Sequence, residues 1–154
     1  MFTKGFMLDT CAINRIHDGL DCEWSLRGPP YVTDIQLQEI AQTRDRGRRE
    51  SLMQAFFSLR PTVIRPQGLI FDADFFGFST YCVEGPFLSA EDYARPIGRI
   101  MPFIAAALGS RIERQFRDAL IGEAALRNSL TLVTSDRKLG KVASSFGACV
   151  EVIQ

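Results

Sequence analysis

The stretch "RDALIGEAALRNSLTLVTSD", residues 117 to 136, reads as a helix and then a strand, and the strand ends on an acid. From Asp118 to Leu126 the residues are apolar nearly all round apart from Asp118 and Glu123, as in a helix buried on more than one side. "LTLVT" follows as a buried strand and runs straight into Thr134, Ser135 and Asp136. A second run does the same near the other end of the chain, where "GFMLDTCAI" takes Phe6, Met7 and Leu8 directly into Asp9.

Between these runs the elements alternate. "CAINRI" after Asp9 predicts a short helix, and "HDGLDCEWSLRGPP" is polar and Gly/Pro-rich enough to be a loop. "YV" gives a short strand. In "TDIQLQEIAQT" Thr33 stands three residues before Gln36, the spacing of a capping box, so a helix starts there and carries Glu39 on its second turn. "RRESLMQAFFSLRP" places Leu52, Met53, Phe56 and Phe57 on one side of a core-facing helix that Pro61 stops. A polar helix around "DRKLGKVASSFG" and a last strand, "CVEVI", close the chain. Residues 62 to 110 carry strand-like pieces broken by Pro66 and Gly68, then helix-like ones cut by Pro96 and Pro102.

Composition bounds the class. The 154 residues suit a single domain, 1–154, that buries roughly two thirds of the surface its unfolded form exposes. Hydrophobic residues at 46% and charged residues at 23% exclude a disordered or collagen-like chain. The 18 basic and 18 acidic side chains cancel, so a polyanionic ligand must be held by a local patch or by metal ions and not by net field. Cys11, Cys22, Cys82 and Cys149 lack CxxC spacing, which disfavours zinc and disulfide frameworks and fits a reducing cytoplasm. No apolar run approaches membrane-spanning length, and Asp9 interrupts any signal-peptide core, so neither a membrane nor export is expected.

Strands alternating with helices predict an α/β sandwich on a mostly parallel sheet covered on both faces. Ligands of such sheets bind beyond the carboxyl ends of the strands. If the two acid-ending strands are neighbours, Asp9 and Asp136 share that edge. Asp118 lies on the helix face of Ile121, Gly122 and Ala125, and Glu39 follows a strand on its own helix, so the four acids are candidates for one pocket. Like charges 4 Å apart repel by about 4 kcal/mol at an effective dielectric near 20. Four carboxylates therefore converge only if their pKa values rise or cations enter. Oxygen donors suit Mg²⁺ or Mn²⁺, and the chemistry such ions bring is phosphodiester hydrolysis.

At these residues the sequence resembles the PIN-domain family, in particular the small endoribonuclease toxins of VapBC-type toxin–antitoxin pairs. "MLDTCAI" matches at the first acid, "VTDIQLQEIA" at the second, and "RDALIGEAALRNSLTLVTSD" at the third and fourth together. The resemblance covers residues 5 to 45 and 111 to 154. It implies a three-layer α/β/α fold and an RNA-cleaving cluster of Asp9, Glu39, Asp118 and Asp136, with Mg²⁺ or Mn²⁺ as cofactor and Thr134 as a polar helper. It further implies a homodimer sharing an apolar helical surface such as "IGRIMPFIAAAL", and an antitoxin whose tail blocks the pocket. One departure stands out: the family carries Asn two residues after the first Asp, and this chain has Cys11, with Asn14 one helical turn further on.

Plainer readings compete. An acid after a strand is commonly a helix N-cap, which alone accounts for Asp9 or Asp136. "TRDRGRRE" offers Arg46 and Arg48 either as RNA-phosphate contacts or as a solvated helix end. His17 is expected to be exposed, and Trp24 to pack against the domain or stack a base. "GLIFDADFFGF" imitates the DxD opening of haloacid-dehalogenase phosphatases at Asp72 and Asp74, but Phe75 breaks that pattern and the chain after it is short. A domain of this type that has lost cleavage would be an RNA- or protein-binding adaptor.

Overall fold

The computed structural model of the protein describes residues 4–19, 28–64 and 112–154, the last with side chains from Arg117 onward. Five strands, β1 (Phe6–Leu8), β2 (Pro30–Val32), β3 (Thr62–Val63), β4 (Thr131–Thr134) and β5 (Cys149–Val152), form one sheet in the order β3-β2-β1-β4-β5. Every pairing in it is parallel. Among the described residues the helices are α1 (Thr10–His17), α2 (Asp34–Ala41), α3 (Arg46–Ser58), α4 (Ile112–Arg127) and α5 (Arg137–Ser145).

Strand side chains alternate, yet both faces are dry. Phe6, Leu8 and Val133 join Ala12 and Ile13 of α1, Ile40 of α2, and Leu52 and Phe56 of α3 in one core. Met7 and Leu132 meet Ala119, Leu120 and Ala124 of α4 and Leu139 and Ala143 of α5 in the other. The result is the α/β/α sandwich that alternating strands and helices predict. Each fully buried Leu or Ile contributes about 1.5–3 kcal/mol, so the two cores, and not helix propensity, hold these short elements.

The sheet order runs outward from β1 toward β3 on one side and through β4 to β5 on the other. The reversal between β1 and β4 opens a crevice beyond their carboxyl ends. Asp9 follows β1, and Thr134 ends β4. The start of β1 is tightly shut by comparison: a Cβ on Gly5 would lie 2.5 Å from the Pro29 carbonyl oxygen and 2.6 Å from the Tyr31 ring, so no larger residue fits there.

The capping box opens α2 as its spacing predicts. The Thr33 hydroxyl accepts from the backbone N–H of Ile35, and Gln36 Oε1 accepts from the Thr33 N–H at 2.9 Å. Gln36 also donates to the Leu8 carbonyl at 2.7 Å, tying α2 to the end of β1. Two expectations need correction. Phe57 is 62% exposed, because α3 buries only the narrow stripe of Leu52 and Phe56 and the next residue around the helix rotates out to solvent. His17 is partly buried and engaged, with its ring nitrogens 2.9 Å from Asp18 and from Ser51 of α3.

Among the described residues no helix is long and apolar enough to cross a membrane. Trp24, Asp72, Asp74 and the apolar run "IGRIMPFIAAAL" lie outside the described residues.

Candidate functional site

Asp9 stands at the N-cap of α1 with extended backbone, φ −73° and ψ 157°, but its side chain makes no capping bond to the helix. The carboxylate turns inward and is 2% exposed. Thr134 Oγ1 donates to its Oδ2 at 2.7 Å, a contact across the β1–β4 neighbours. Burial pushes the Asp9 pKa above the usual carboxylate value. The Thr134 hydroxyl opposes that shift, the charge of Glu39 adds to it, and the Thr10 backbone N–H and Cys11 thiol oppose it further. The rise survives those donors because water is excluded and a second anion is close.

Glu39 arrives from α2. Its Oε2 accepts the Thr10 hydroxyl, and its Oε1 lies 4.0 Å from Arg117 Nη1. The same nitrogen donates to Gln42 Oε1 at 3.1 Å. Arg117 and Asp118 arrive together at successive positions of α4. Asp9, Glu39 and Asp118, from three separate parts of the chain, line one pocket of about 430 Å³. Thr10, Cys11 and Asn14 of α1, with Gln42 and Arg117, also line it.

Asp136 does not line this pocket. It caps α5, where its Oδ1 accepts from the backbone N–H of Lys138 at 2.7 Å and of Leu139 at 3.1 Å. Its own N–H donates to Thr134 Oγ1 at 2.9 Å, so one hydroxyl serves as acceptor to Asp136 and donor to Asp9. The expected cluster of four acids is thus three at the pocket and one at a helix start, with Thr134 between.

Arg46 pairs with Glu50 one turn along α3 at 2.8 Å, the two side chains 82% and 61% exposed. A pair so exposed is worth about 0.2–1 kcal/mol. Arg48 reaches the site's rim by contrast, donating to Asn14 Oδ1 at 3.1 Å and Asp18 Oδ2 at 3.2 Å. Asp18 is held below the usual carboxylate value first by its hydrogen bond to His17 and next by Arg48.

The sequence reading missed Arg117, Thr10 and Gln42 as pocket residues. Their signal was present: Thr10 adjoins Asp9, Gln42 is one turn past Glu39, and Arg117 precedes Asp118. Cys11 sits where the resembled family has Asn, and it lines the pocket with its thiol on Asp9.

No group of three His, Cys, Asp or Glu side chains among the described residues is gathered closely enough to hold a metal ion by itself. The donor chemistry nonetheless suits a hard cation, since Mg²⁺ takes oxygen ligands and uses one or two carboxylates while keeping several waters. Asp9, Glu39 and Asp118 bring carboxylate oxygens of that kind to the pocket.

No family model matches the chain, and no curated protein matches it. Among solved structures it is similar to a domain of a functionally unknown protein from Methanocaldococcus jannaschii DSM 2661. The TM-score is 0.54 at 17% sequence identity, over 98% of this chain and 91% of that one. At that identity the likeness speaks to the fold.

Proposed function

We propose that this chain is a Mg²⁺- or Mn²⁺-dependent endoribonuclease of PIN type, similar to the toxins of VapBC pairs, which cleaves RNA phosphodiesters at the pocket of Asp9, Glu39 and Asp118. The observation that carries the reading is Asp9. It occupies an N-cap position without capping, lies buried, and faces Glu39 in a pocket that also receives Asp118. Burying a carboxylate beside another costs free energy, and a divalent cation offsets that cost by its charge.

Asp9 and Asp118 would hold the ion, with Glu39 beside them in the same pocket. Thr134 fixes the Asp9 carboxylate by its hydrogen bond, and Asp136 fixes Thr134 from the start of α5. The bound cation supplies Lewis-acid stabilisation of the phosphodiester and a more acidic water. The resemblance also supports a cytoplasmic homodimer and a cognate antitoxin as partners.

The test is cleavage of a mixed-sequence RNA by the purified chain in Mn²⁺, in Mg²⁺ and in EDTA, alongside Asp118→Asn. Cleavage in either metal that EDTA and the substitution both abolish supports the reading. Cleavage that persists in EDTA sinks it. A second reading, an RNA-binding adaptor without cleavage, is favoured by Cys11 at the family's Asn position and by the Arg117 cation already beside Glu39. Tight RNA binding with neither cation binding nor cleavage would select it.

A further inference from the structure

Gln36 is fully buried, and both ends of its amide are spent. Oε1 accepts from the Thr33 N–H at 2.9 Å and from the Thr33 hydroxyl at 2.6 Å, while Nε2 donates to the Leu8 carbonyl at 2.7 Å. A capping box needs only the first of these bonds from its glutamine. The bond to Leu8 follows from where the strands part. The Phe6 N–H donates to the Pro29 carbonyl, so alternate backbone groups of β1, those of Leu8 included, face β2. The β1–β2 register ends at Met7 opposite Tyr31, and the next rung of such a ladder would run from the Thr33 N–H to the Leu8 carbonyl. The Gln36 amide stands in that gap, accepting from Thr33 and donating to Leu8 as a peptide group would. It holds the two strand ends one amide apart and leaves neither backbone group unpaired.

This wedge touches the residue before Asp9, and the residue after Asp9 is tied to the same helix, since the Thr10 hydroxyl donates to Glu39 Oε2. Glu39 stands three residues beyond Gln36, on the same side of α2. Both chain neighbours of Asp9 therefore bond α2, Leu8 through Gln36 in its first turn and Thr10 through the Glu39 carboxylate. We propose that Gln36 is a positioning residue of this pocket: by bridging Thr33 and Leu8 it sets the spacing at which Glu39 faces Asp9, and so how tightly the pocket takes a divalent cation. The inference rests on the cation reading above and adds to it the side chain that fixes two of the carboxylates relative to each other. Mg²⁺ tolerates little departure from octahedral geometry, so a shift of α2 would reach the ion through Glu39. Glutamine suits the place because its amide offers a donor and an acceptor together without charge. A carboxylate would turn an oxygen toward the Leu8 carbonyl, and an apolar chain would leave that carbonyl and the Thr33 N–H without this partner.

The experiment is calorimetric titration of Mn²⁺ into wild type, Gln36→Met, Glu39→Gln and the double variant, with thermal melting of the same samples. Gln36→Met keeps the length of the side chain and removes both ends of the bridge. It should weaken Mn²⁺ binding about tenfold, the scale of losing a group that orients a metal ligand, and Glu39→Gln should weaken it at least as much. The two losses should not multiply: with Glu39→Gln in place, Gln36→Met should cost less than about a further twofold, because the two residues act as one unit. A role confined to fold stability would lower Tm without that coupling. Should Gln36→Met not fold, the same cycle with Thr33→Val decides, since it removes the hydroxyl bond to Gln36 and keeps the N–H bond; a smaller loss is expected, again absent beside Glu39→Gln. Wild-type Mn²⁺ affinity in the folded variant, or losses that multiply in the double variant, overturns the proposal and leaves Gln36 a capping residue alone. A wild-type chain that takes up no Mn²⁺ overturns the cation reading itself, and this inference with it.

Discussion

Asp9 and Asp136 follow the two strands on either side of the sheet's reversal, and each is the N-cap residue of the helix that comes next. Asp136 lies near the surface and uses one carboxylate oxygen on two backbone N–H groups of α5. Asp9 makes no such bond and is buried against Thr134 with Glu39 close by. Their sequence contexts are nearly alike, an apolar strand running into an acid and then a helix. The difference lies in what the neighbouring elements bring. Helix α2 delivers Glu39 and α4 delivers Asp118 to the end of β1, and Asp136 does not line the pocket that they share with Asp9. A capping acid can be explained by its own helix; Asp9 cannot.

That contrast is most severely tested by removing charge without changing shape. Asp9→Asn and Asp118→Asn should each lower RNA cleavage by more than about 100-fold, the scale of losing one preorganised charge-stabilising group. Asp136→Asn should keep most of the activity, since Asn caps helices as well as Asp. Steady-state cleavage rates for the three variants separate the roles, and equal losses at Asp9 and Asp136 would erase the distinction.

Thr134 is the hinge of the comparison, because it is fully buried and bonded to both acids. Thr134→Val keeps the shape but leaves the Asp136 N–H without this acceptor, at about 1–3 kcal/mol. It should also raise the Asp9 pKa further by removing a donor. Denaturant unfolding reads the first effect. A variant as stable as wild type would show that the bridge is not needed.

The cap comes next in size. Asp136→Ala should cost about 1 kcal/mol, a fall in Tm of roughly 2–4 °C for a chain of this length. Asp136→Asn should not. A large loss in both variants would mean that the negative charge of Asp136, and not its capping geometry, holds the β4–α5 junction.

Asp9 gives the stability a pH dependence of its own. Its raised pKa means that the folded chain keeps a proton at pH values where the unfolded chain has released it, from about 3.9 upward. Stability therefore falls as pH rises from there to the folded value, and the cost is complete above it. Glu123, raised by burial against the opposing charge of Arg127, contributes with the same sign. In metal-free buffer, Asp9→Asn should melt a few degrees above wild type at neutral pH and show no advantage near pH 3. Thermal melts across pH check this; a lower Tm at pH 7 would make Asp9 a stabilising element. At the smallest end, Arg46→Ala should leave RNA affinity within about twofold, which anisotropy can resolve.

What the sequence made legible is what short range determines. The Thr33–Gln36 capping box needs only four residues of chain, and the acid-ended strands declare themselves by apolar runs. Both are where their patterns place them. Phe57 misled because a helical pattern marks a face without revealing how wide a stripe the neighbours will cover. Arg117 stayed hidden because its meaning depends on α4 meeting α2 across 75 residues of chain. Asp136 was ambiguous because a capping acid and a pocket acid look the same at the end of a strand. The haloacid-dehalogenase reading of Asp72 and Asp74 falls outside the described residues.

In the proposed reading Asp9, Glu39 and Asp118 share one cation site, and Asp136 caps α5 beside it. Calorimetric titration of Mn²⁺ into wild type, Asp118→Asn and Asp136→Asn tests it most directly. The expected result is binding to wild type, none to Asp118→Asn, and near wild-type affinity in Asp136→Asn. Binding that survives Asp118→Asn but disappears in Asp136→Asn would contradict the account, and so would a wild-type chain that takes up no Mn²⁺ at all.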